Sequence, residues 1–148
     1  MLKSKVGFST DVDSFKSGEE TARKASADMK NAKLGMLYTS VLSNVKEVVK
    51  GARSVTNAPI IGCTSSGAII VPEGVISSDH GFSGMMMLDD KDMTVGVACH
   101  EAGKDARAIG RKVAIEAVEN AKTTRAPAYF YMVASPKEEE DYLMGIQD

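Results

Sequence analysis

The chain has 148 residues, of which 43% are apolar and 26% are charged, and its formal net charge is −2. A soluble chain of this size buries roughly 70% of its surface, so its core needs no disulfide or metal to hold it together. The composition excludes a disordered tail, a collagen, a coiled-coil rod and a disulfide scaffold, and we expect a single domain over residues 1–148.

The first part of the chain alternates predicted strands with predicted helices. Short apolar runs predict strands at Lys5–Phe8, Leu34–Tyr38 and Pro59–Ile61. Ser17–Glu20 has the sequence of a capping box, which predicts that the first helix begins there. Asn44 is the predicted cap of the second helix, whose valines and alanines recur at helical spacing. The predicted order is therefore β-α-β-α-β.

The middle of the chain is predicted to be antiparallel. Extended runs at Ala68–Val71, Phe82–Leu88 and Met93–Cys99 are separated by turn signals at Pro72–Gly74 and Asp89–Asp92. We therefore expect a β-meander to follow the third strand.

The last part of the chain is predicted to be α-β-α. Apolar residues at helical spacing indicate a helix at Asp105–Lys122, and Tyr129–Ala134 has the composition of a buried strand. Ser135 and Pro136 are typical of a helix start and predict a short last helix. The predicted fold class is α/β, a mixed sheet of about six to seven strands with helices packed on it.

Two segments of the sequence are alike and suggest an internal repeat. Leu34–Gly51 and Ala128–Gly145 each combine a predicted strand, a serine and a helix with a glycine at a similar position. The first copy continues into a glycine-containing strand, and the second does not. If the repeat is real, a further strand is expected to follow and the chain is cut short. Coincidence between two ordinary β-α units is the alternative.

The most distinctive local feature is a loop of small polar residues, Gly62–Gly67, with the sequence GCTSSG. Glycines let backbone N–H groups approach a ligand, and hydroxyls both donate and accept hydrogen bonds. The loop is not a P-loop, because Ala68 and Ile69 stand where lysine and serine or threonine are required. It is not the G-x-S-x-G of a serine nucleophile either. A tight turn between strands is the alternative interpretation.

Hydroxyl residues also follow the other predicted strands, at Ser9-Thr10, Thr39-Ser40 and Ser135. Ligands of open α/β sheets collect outside the carboxyl ends of the strands. Small hydroxyls at that position suit a modest polar metabolite, such as an amino acid or a carboxylate. Helix capping is the competing explanation at Ser40 and Ser135, but no predicted helix follows Gly62–Gly67.

The cysteines, histidines and paired aspartates give weaker signals. Cys63 could act as a nucleophile only beside a histidine, and His80 and His100 are the two available. The cysteines are otherwise interpreted as reduced thiols, and the spacing of zinc ligands is absent. Asp11 and Asp13 form a D-x-D whose simpler interpretation is helix capping. We predict no catalytic residue, no metal and no cofactor.

Four features, in the expected order, resemble the N-terminal part of the FIST sensory domain. They are GFSTD near the start, LYTS at the second strand, PIIGCTSSGAI at the third strand and the extended meander after it. The resemblance implies an input module of signal transduction, often joined to an output domain, that binds small ligands such as amino acids. Some members of the family resemble haem-binding nitric-oxide sensors. The family's domain continues into another glycine-rich strand and a C-terminal domain that this sequence lacks, so we expect a fragment or a minimal relative.

The resemblance and the hydroxyl pattern together predict a non-enzymatic ligand-binding site. Its candidate residues are Ser9, Thr10, Ser40, Gly62, Cys63, Thr64, Ser65, Ser66 and Gly67. A haem-based gas sensor with His80 or His100 as axial ligand is the first alternative. A Cys63-dependent hydrolase or transferase is the second, and an interaction module without any ligand is the third.

The expected partners and compartment follow from the same observations. No apolar run reaches the ~20 residues that a membrane span needs, and no signal peptide precedes the first strand. We therefore expect a cytoplasmic protein whose partners are a small polar ligand and a signalling output domain, with no nucleic acid or membrane. An unfinished sheet edge at Tyr129–Ala134 would favour a homodimer.

Overall fold

The computed structural model describes residues 1–134 and 137–148 and divides the chain into two compact units, Met1–Met93 and Thr94–Asp148. Within these residues there are four helices and six strands. Four of the strands form a mixed sheet, and the other two form a small separate sheet. The predicted α/β fold class is therefore confirmed. That both units belong to one domain stays a prediction.

The first unit is a mixed sheet with two helices and a hairpin. Its elements are β1 (Lys3–Ser9), α1 (Ser14–Ser26), β2 (Ala32–Ser40), α2 (Val45–Val55), β3 (Ile60–Ser65), β4 (Ile69–Val71), β5 (Gly74–Ile76) and β6 (Ser83–Asp89). The strand order of the main sheet is β1-β6-β2-β3. β2 and β3 are parallel, whereas β6 is antiparallel to both of its neighbours. β4 and β5 form a separate antiparallel hairpin.

This topology brings four strand ends to one edge of the main sheet, which we call the carboxyl edge. β1, β2 and β3 end there, and β6 begins there because it runs the opposite way. The register places Ser83 opposite both Ser9 and Thr39, and it places Ser40 beside Ser65. A row of hydroxyl residues therefore crosses the sheet at this edge.

The predicted meander is wrong in two respects, of which the placement of its second run is the first and the loss of Met93–Cys99, described below, is the second. Ala68–Val71 supplies β4, which pairs with β5, but Phe82–Leu88 becomes β6 and enters the main sheet between β1 and β2. Met85 and Met87 in β6 are 1% and 0% exposed. A central position in the sheet buries these long apolar side chains more completely than an edge hairpin would, and that burial favours insertion.

Both helices of the first unit pack on one face of the main sheet. The buried apolar cluster between these helices and the sheet comprises Ala22, Ala25, Leu37, Val48, Ala52, Ala58, Met85 and Met87. The helix residues in this cluster are small, so the helices lie close to the sheet while methionines fill the remaining space. Met85 and Met87 of β6 therefore belong to the core.

The helix starts are set by aspartate and asparagine caps. The Asp13 carboxylate accepts the Lys16 N–H at 3.1 Å, so α1 begins at Ser14 and the predicted start at the Ser17 capping box is wrong. Ser17 lies inside the helix and is 1% exposed. The capping interpretation of Asp13 and the predicted Asn44 cap of α2 are both confirmed.

The second unit consists of α3 (Ala106–Asn120) and α4 (Glu139–Gln147), with extended chain before and between them. The Asp105 carboxylate accepts the Ala108 N–H at 2.9 Å and caps α3, which confirms the helix predicted at Asp105–Lys122. The cap predicted for the last helix, Ser135 and Pro136, lies outside the described residues.

Two strand predictions near and within the second unit are wrong. Met93–Cys99 and Tyr129–Ala134 are not assigned to any strand in the described part of the chain. A run of apolar residues becomes a strand only when its backbone groups find a neighbouring ladder. The Val97 carbonyl instead accepts a hydrogen bond from the Asn120 side chain at 2.9 Å. Tyr129, which was expected to be buried, is 94% exposed.

The described residues contain neither a helix that could span a membrane nor a disulfide. Across residues 1–134 and 137–148, no helix combines the length and the apolar character needed to cross a bilayer. Cys63 and Cys99 are both exposed free thiols, as the sequence predicts.

Candidate functional site

A polar cavity of about 480 Å³ lies at the carboxyl edge of the first unit. Three loops form it: the loop after β2, the loop after β3 and the loop that leads from β5 to β6. Its lining residues are Ser40, Leu42, Ser66, Gly67, Ser77, Ser78 and Asp79. Because serines dominate the lining, a ligand in this cavity would be held mainly by hydrogen bonds.

Three of the predicted site residues line this cavity. Ser40 is 3% exposed, and its hydroxyl accepts the Leu42 N–H at 3.1 Å, so it shapes the loop as well as the cavity wall. Ser66 and Gly67 are exposed and follow β3 directly. A side chain at Gly67 would meet no atom within 4 Å, so this position is open on the solvent side.

The other residues of the predicted glycine loop lie on β3 or at its end. Cys63 and Thr64 are exposed on the strand, and a side chain at Gly62 would collide with a backbone carbonyl of β2. The half-buried Ser65 donates its hydroxyl to the Ala68 carbonyl at 2.9 Å and so closes the turn into β4. The cavity lining does not include these four residues.

The structure does not place Ser9 and Thr10 in the cavity lining either. Ser9 is 3% exposed and donates its hydroxyl to the Glu20 carboxylate at 2.5 Å. Hydrogen bonds from Lys24 and from Ser9 lower the pKa of Glu20 below its ordinary value. Ser9 therefore joins the end of β1 to an ionised side chain of α1, while Thr10 is exposed beside it.

Sequence reasoning missed four of the cavity residues. They are Leu42, Ser77, Ser78 and Asp79. The last three precede β6, and their position depends on β6 entering the sheet antiparallel to β1 and β2. The available signal was the polar run Ser77–Asp79 directly before an apolar strand, which places polar groups at the edge where that strand begins.

A buried hydroxyl cluster lies behind this edge. Ser83, the first residue of β6, has its hydroxyl oxygen 2.7 Å from that of Ser17 and 2.7 Å from that of Thr21. All three residues are at most 1% exposed. Each hydroxyl is therefore satisfied only by its neighbours, and the cluster fixes the start of β6 to α1.

The loop that carries Asp79 is joined to this start of β6. Its Ser78 carbonyl accepts the Gly81 N–H at 3.2 Å, and Gly81 has a φ of 102°, a conformation that favours glycine. The next residue, Phe82, accepts the Ser40 N–H at 2.9 Å through its carbonyl. The loop after β2 is thus hydrogen-bonded to Phe82, the residue directly before β6.

The residues proposed for haem or metal chemistry are placed elsewhere. His80 is exposed in a turn, and the Nε2 atom of His100 lies 2.6 Å from the Glu116 carboxylate. Neither histidine lines the described cavities, whereas a haem site needs its axial imidazole in an apolar pocket. The haem-based alternative therefore has no support from these two cavities and stays a prediction. The described residues contain no group of three or more His, Cys, Asp or Glu that could hold a metal ion.

A larger cavity of about 590 Å³ lies along α3 in the second unit. Arg107 lines it and donates two hydrogen bonds to the Asp148 carboxylate, at 2.7 and 2.6 Å. This pairing raises the pKa of Arg107 and lowers that of Asp148. Arg107 is thus paired with Asp148, and charged side chains dominate this cavity, whereas serines dominate the cavity of the first unit.

Comparison with known families agrees with this architecture. Residues 33–148 match the FIST N domain family. The chain therefore belongs to the FIST family, whose domains are sensory domains of signal transduction and are generally non-catalytic. The resemblance found in the sequence is confirmed. No curated protein matches the sequence.

Two of the solved structures that resemble this chain are distant likenesses. One is an FtsZ dimer from M. jannaschii, at 9% identity and a TM-score of 0.39, covering 70% of this chain and 34% of that chain. Another is a thiamine monophosphate kinase from Aquifex aeolicus, at 11% identity and a TM-score of 0.35, covering 85% of this chain and 46% of that one. The chain thus spans less than half the length of either structure, and neither likeness bears on function.

Proposed function

We propose that the first unit binds a small polar metabolite carrying an ammonium group, most simply an amino acid, and that this binding is the input of a sensory module. The observation that carries the proposal is the cavity at the carboxyl edge, with its four serines and its single charged lining residue, Asp79. Hydroxyls recognise carboxylate, hydroxyl and ammonium groups alike, whereas a carboxylate favours a cation.

The strength of binding follows from the exposure of these groups. Asp79 and Ser66 are both exposed, so water screens the charge and competes for the hydrogen bonds. Each hydrogen bond then contributes about 0.5–1.5 kcal/mol. A handful of such contacts supports a dissociation constant of roughly 10 µM to 1 mM, a range suited to an abundant metabolite.

Binding would act through the loop that carries Asp79. A ligand that bridges Asp79 and Ser66 draws the loop before β6 towards the loop after β3, and Gly81 is the residue able to absorb the change in backbone direction. The ligand shifts the population of conformations only if it binds one of them more tightly. The proposed partner is a signalling output domain that reads this shift, in the cytoplasm, and a homodimer is the proposed assembly.

The test is calorimetric titration of the full chain with a panel of amino acids, and with matched amines and carboxylates. We expect one saturable site, with tighter binding of compounds that carry the ammonium group. Asp79→Asn should weaken binding by about tenfold, whereas Asp92→Asn, which makes the same charge change in an exposed turn, should leave it unaltered. Preference for bare carboxylates, or equal affinity of the two variants, would contradict the proposal.

A further inference from the structure

The two edge strands of the main sheet, β1 and β3, differ in how they are protected against pairing with another chain. β1 carries Lys3 and Lys5, and its Phe8 carbonyl accepts a hydrogen bond from the Lys24 side chain at 3.0 Å. Lysines at an edge oppose the addition of a further strand. β3 contains no charged residue, and within the part of the chain that the structure describes β2 is its one neighbour in the sheet. β3 is therefore the unprotected edge.

The backbone groups that β3 presents at this edge follow from its pairing with β2. The Gly35 N–H of β2 bonds at 2.8 Å to the carbonyl of Pro59, directly before β3. Backbone groups alternate in direction along a strand, so the residues whose groups point away from β2 are Ile60, Gly62 and Thr64. The backbone of Pro59 faces β2, so its missing N–H does not interrupt the outer edge. Three evenly spaced residues therefore offer donors and acceptors there.

The helix beside this edge is α2, and its crossing with α1 fixes its rotation. A side chain at Gly51, the seventh residue of α2, would collide with the carbonyl of Phe15, the second residue of α1. A side chain at Gly18, the fifth residue of α1, would collide with the carbonyl of Val48, the fourth residue of α2. The two helices therefore cross at their glycines, and Gly51 marks the side of α2 that faces α1.

The side of α2 that is turned away from α1 carries exposed valines. At about 3.6 residues per turn, Val45 and Val49 lie about 120° and 160° round the helix from Gly51, and they are 41% and 37% exposed. α1 is hydrogen-bonded to β6 and packs on β1, at the far end of the sheet, so these valines lie on the β3 side. Val41, which is 53% exposed, lies at the end of β3, where its N–H bonds to the Ser65 carbonyl at 3.1 Å.

The second unit has the same helix crossing at the same helix positions. Gly145, the seventh residue of α4, lies against the carbonyl of Arg107, the second residue of α3. Gly110, the fifth residue of α3, lies against the carbonyl of Tyr142, the fourth residue of α4. α3 and α4 are thus the counterparts of α1 and α2, and the internal repeat suggested by the sequence has a structural basis in these contacts.

The first turns of α2 and α4 differ in a way that the shared crossing does not require. α4 begins with the acidic residues Glu139–Asp141, which the helix dipole favours, whereas α2 begins with Val45. An exposed valine gains nothing from the dipole or from contact with water. Burial against another apolar surface is what would stabilise it.

We propose that the edge of β3, together with Val41, Val45 and Val49, is the interface of a homodimer. Two copies related by a two-fold axis perpendicular to the sheet pair β3 antiparallel with β3, and their α2 helices pack against each other beside the joined strands. Because the edge carries no charge, two copies do not repel each other there. The inference rests on the homodimer of the proposed function and gives it a surface other than Tyr129–Ala134, which is not assigned to a strand.

The outward-facing residues set the register of the pair. The pairing that uses all three of them places Gly62 opposite Gly62 of the second copy and Ile60 opposite Thr64. One strand and one helix face make a small interface, near the lower limit of about 1,000 Å² for a specific contact. We therefore expect a dissociation constant of roughly 1–100 µM.

Sedimentation equilibrium of the full chain at about 1–300 µM tests the interface in the absence of any ligand. We expect a monomer–dimer equilibrium that Val49→Glu weakens at least about tenfold, because it places like charges on the two sides of the axis. Val12→Glu makes the same change at a valine that is 71% exposed in the loop after β1, and it should leave the equilibrium unaltered. A monomer at every concentration, or equal dimerisation of the two variants, would overturn the proposal. A monomer that binds amino acids would leave the proposed ligand site standing, so the two failures are distinguishable.

Thr64→Pro tests the strand pairing directly. It removes an N–H that points away from β2, so the bonds between β2 and β3 remain and circular dichroism should report a folded chain. We expect the dimer to weaken at least about tenfold, because the proline also blocks the approach of the second strand. An undiminished dimer in this variant would overturn the assignment to β3.

Disulfide cross-linking tests the register. In the pairing centred on Gly62, Cys63 lies opposite residue 61 of the second copy, with Cα atoms about 4.5–5.5 Å apart, whereas the two copies of Cys63 are diagonal neighbours about 7–8 Å apart. Two variants, both with Cys99→Ser, are compared: one keeps Cys63, and the other carries Ile61→Cys and Cys63→Ser. With oxidised glutathione as the oxidant, we expect their mixture to form a mixed disulfide-linked dimer roughly tenfold more than either variant alone. Equal yields, or cross-linking of Cys63 with itself alone, would overturn the proposed pairing.

Discussion

The hydroxyl oxygens of Ser17 and Ser83 lie 2.7 Å apart in the interior of the first unit, and both residues are at most 1% exposed. This hydrogen bond joins the first turns of α1 to the first residue of β6, the strand that the sequence alone places in a meander. Because Thr21 shares the Ser83 hydroxyl, one side chain satisfies two buried partners. The start of β6 is thereby held in place beside the cavity.

Ser83→Ala should destabilise the first unit by about 1–3 kcal/mol, because it leaves the buried hydroxyl of Ser17 without a partner and removes one from Thr21. Urea denaturation followed by circular dichroism measures the change. Ser54→Ala, at an exposed position of α2, is the matched control and should alter stability by no more than about 0.5 kcal/mol. Equal stability of the two variants would show that the cluster has no structural role.

Gly51→Ala and Gly145→Ala should each destabilise their own unit by about 1–3 kcal/mol or more, because the added methyl collides with a backbone carbonyl that cannot move aside. Gly67→Ala is the control, since a Cβ there meets no atom within 4 Å. Thermal unfolding monitored by hydrogen exchange assigns each loss to residues 1–93 or 94–148. A harmless Gly145→Ala beside a damaging Gly51→Ala would contradict the structural repeat.

These contacts show why the repeat was only partly visible in the sequence. The sequence comparison aligned Ser40 with Ser135, whereas the matching glycine contacts align Gly51 with Gly145 and therefore Ser40 with Ala134. The glycines carry the repeat because close helix crossing excludes every other residue. Serines at strand ends tolerate replacement, so their spacing is a weaker guide.

Asp89 should make the stability of the first unit depend on pH in the acidic range. Hydrogen bonds from the backbone N–H groups of Asn31 and Lys30 hold its pKa below the ordinary 3.8. A carboxyl whose pKa is lower in the folded state stabilises the fold above its unfolded pKa, and that contribution is lost as the pH falls through the folded value. Asp89→Asn should therefore be less stable than the parent at neutral pH, with the difference shrinking below about pH 4.

Urea titrations at a series of pH values measure this dependence. Asp92→Asn, in the exposed turn that follows β6, serves as the control and should track the parent at every pH. A gap between Asp89→Asn and the parent that stays constant from pH 7 to about pH 3 would show that the Asp89 carboxylate is not the origin of the effect.

Ser66→Ala should weaken ligand binding by roughly two- to tenfold without loss of stability, because it removes one exposed hydrogen-bonding group from the cavity wall. Ser65→Ala should instead loosen the turn into β4, since the Ser65 hydroxyl is held by the Ala68 carbonyl at 2.9 Å. Calorimetric titration and denaturation of both variants separate the two effects. Unchanged affinity in Ser66→Ala would remove this residue from the site.

Much of the first unit follows from local sequence patterns. The strands at Leu34–Tyr38 and Pro59–Ile61 and the Asn44 cap all rest on short-range signals, and each is found in the structure. The position of β6 does not follow from local patterns, because its pairing with β1 depends on contacts between residues far apart in the chain. The same limit applies to the cavity. Ser66 could be predicted from its glycine loop, whereas the position of Asp79 depends on the long-range pairing of β6 as well as on the polar run before that strand.

Tyr129–Ala134 illustrates a second limit of prediction from sequence, which is that composition does not determine strand pairing. Its apolar composition predicts a strand, and composition says nothing about whether a neighbour is present to pair with it. In the first unit the corresponding segment, β2, has β6 and β3 on its two sides. Within the described residues Tyr129–Ala134 is not assigned to a strand, although its composition has high β propensity.

The most direct test of the proposed sensory input is native mass spectrometry of the freshly purified chain, before and after addition of a panel of amino acids. The account predicts a one-to-one adduct of metabolite mass that is released on denaturation, retained by Asp92→Asn and lost or much weakened in Asp79→Asn. A bare polypeptide that takes up no amino acid at about 1 mM, where even the weakest expected binding would leave about half of the chain occupied, would contradict it.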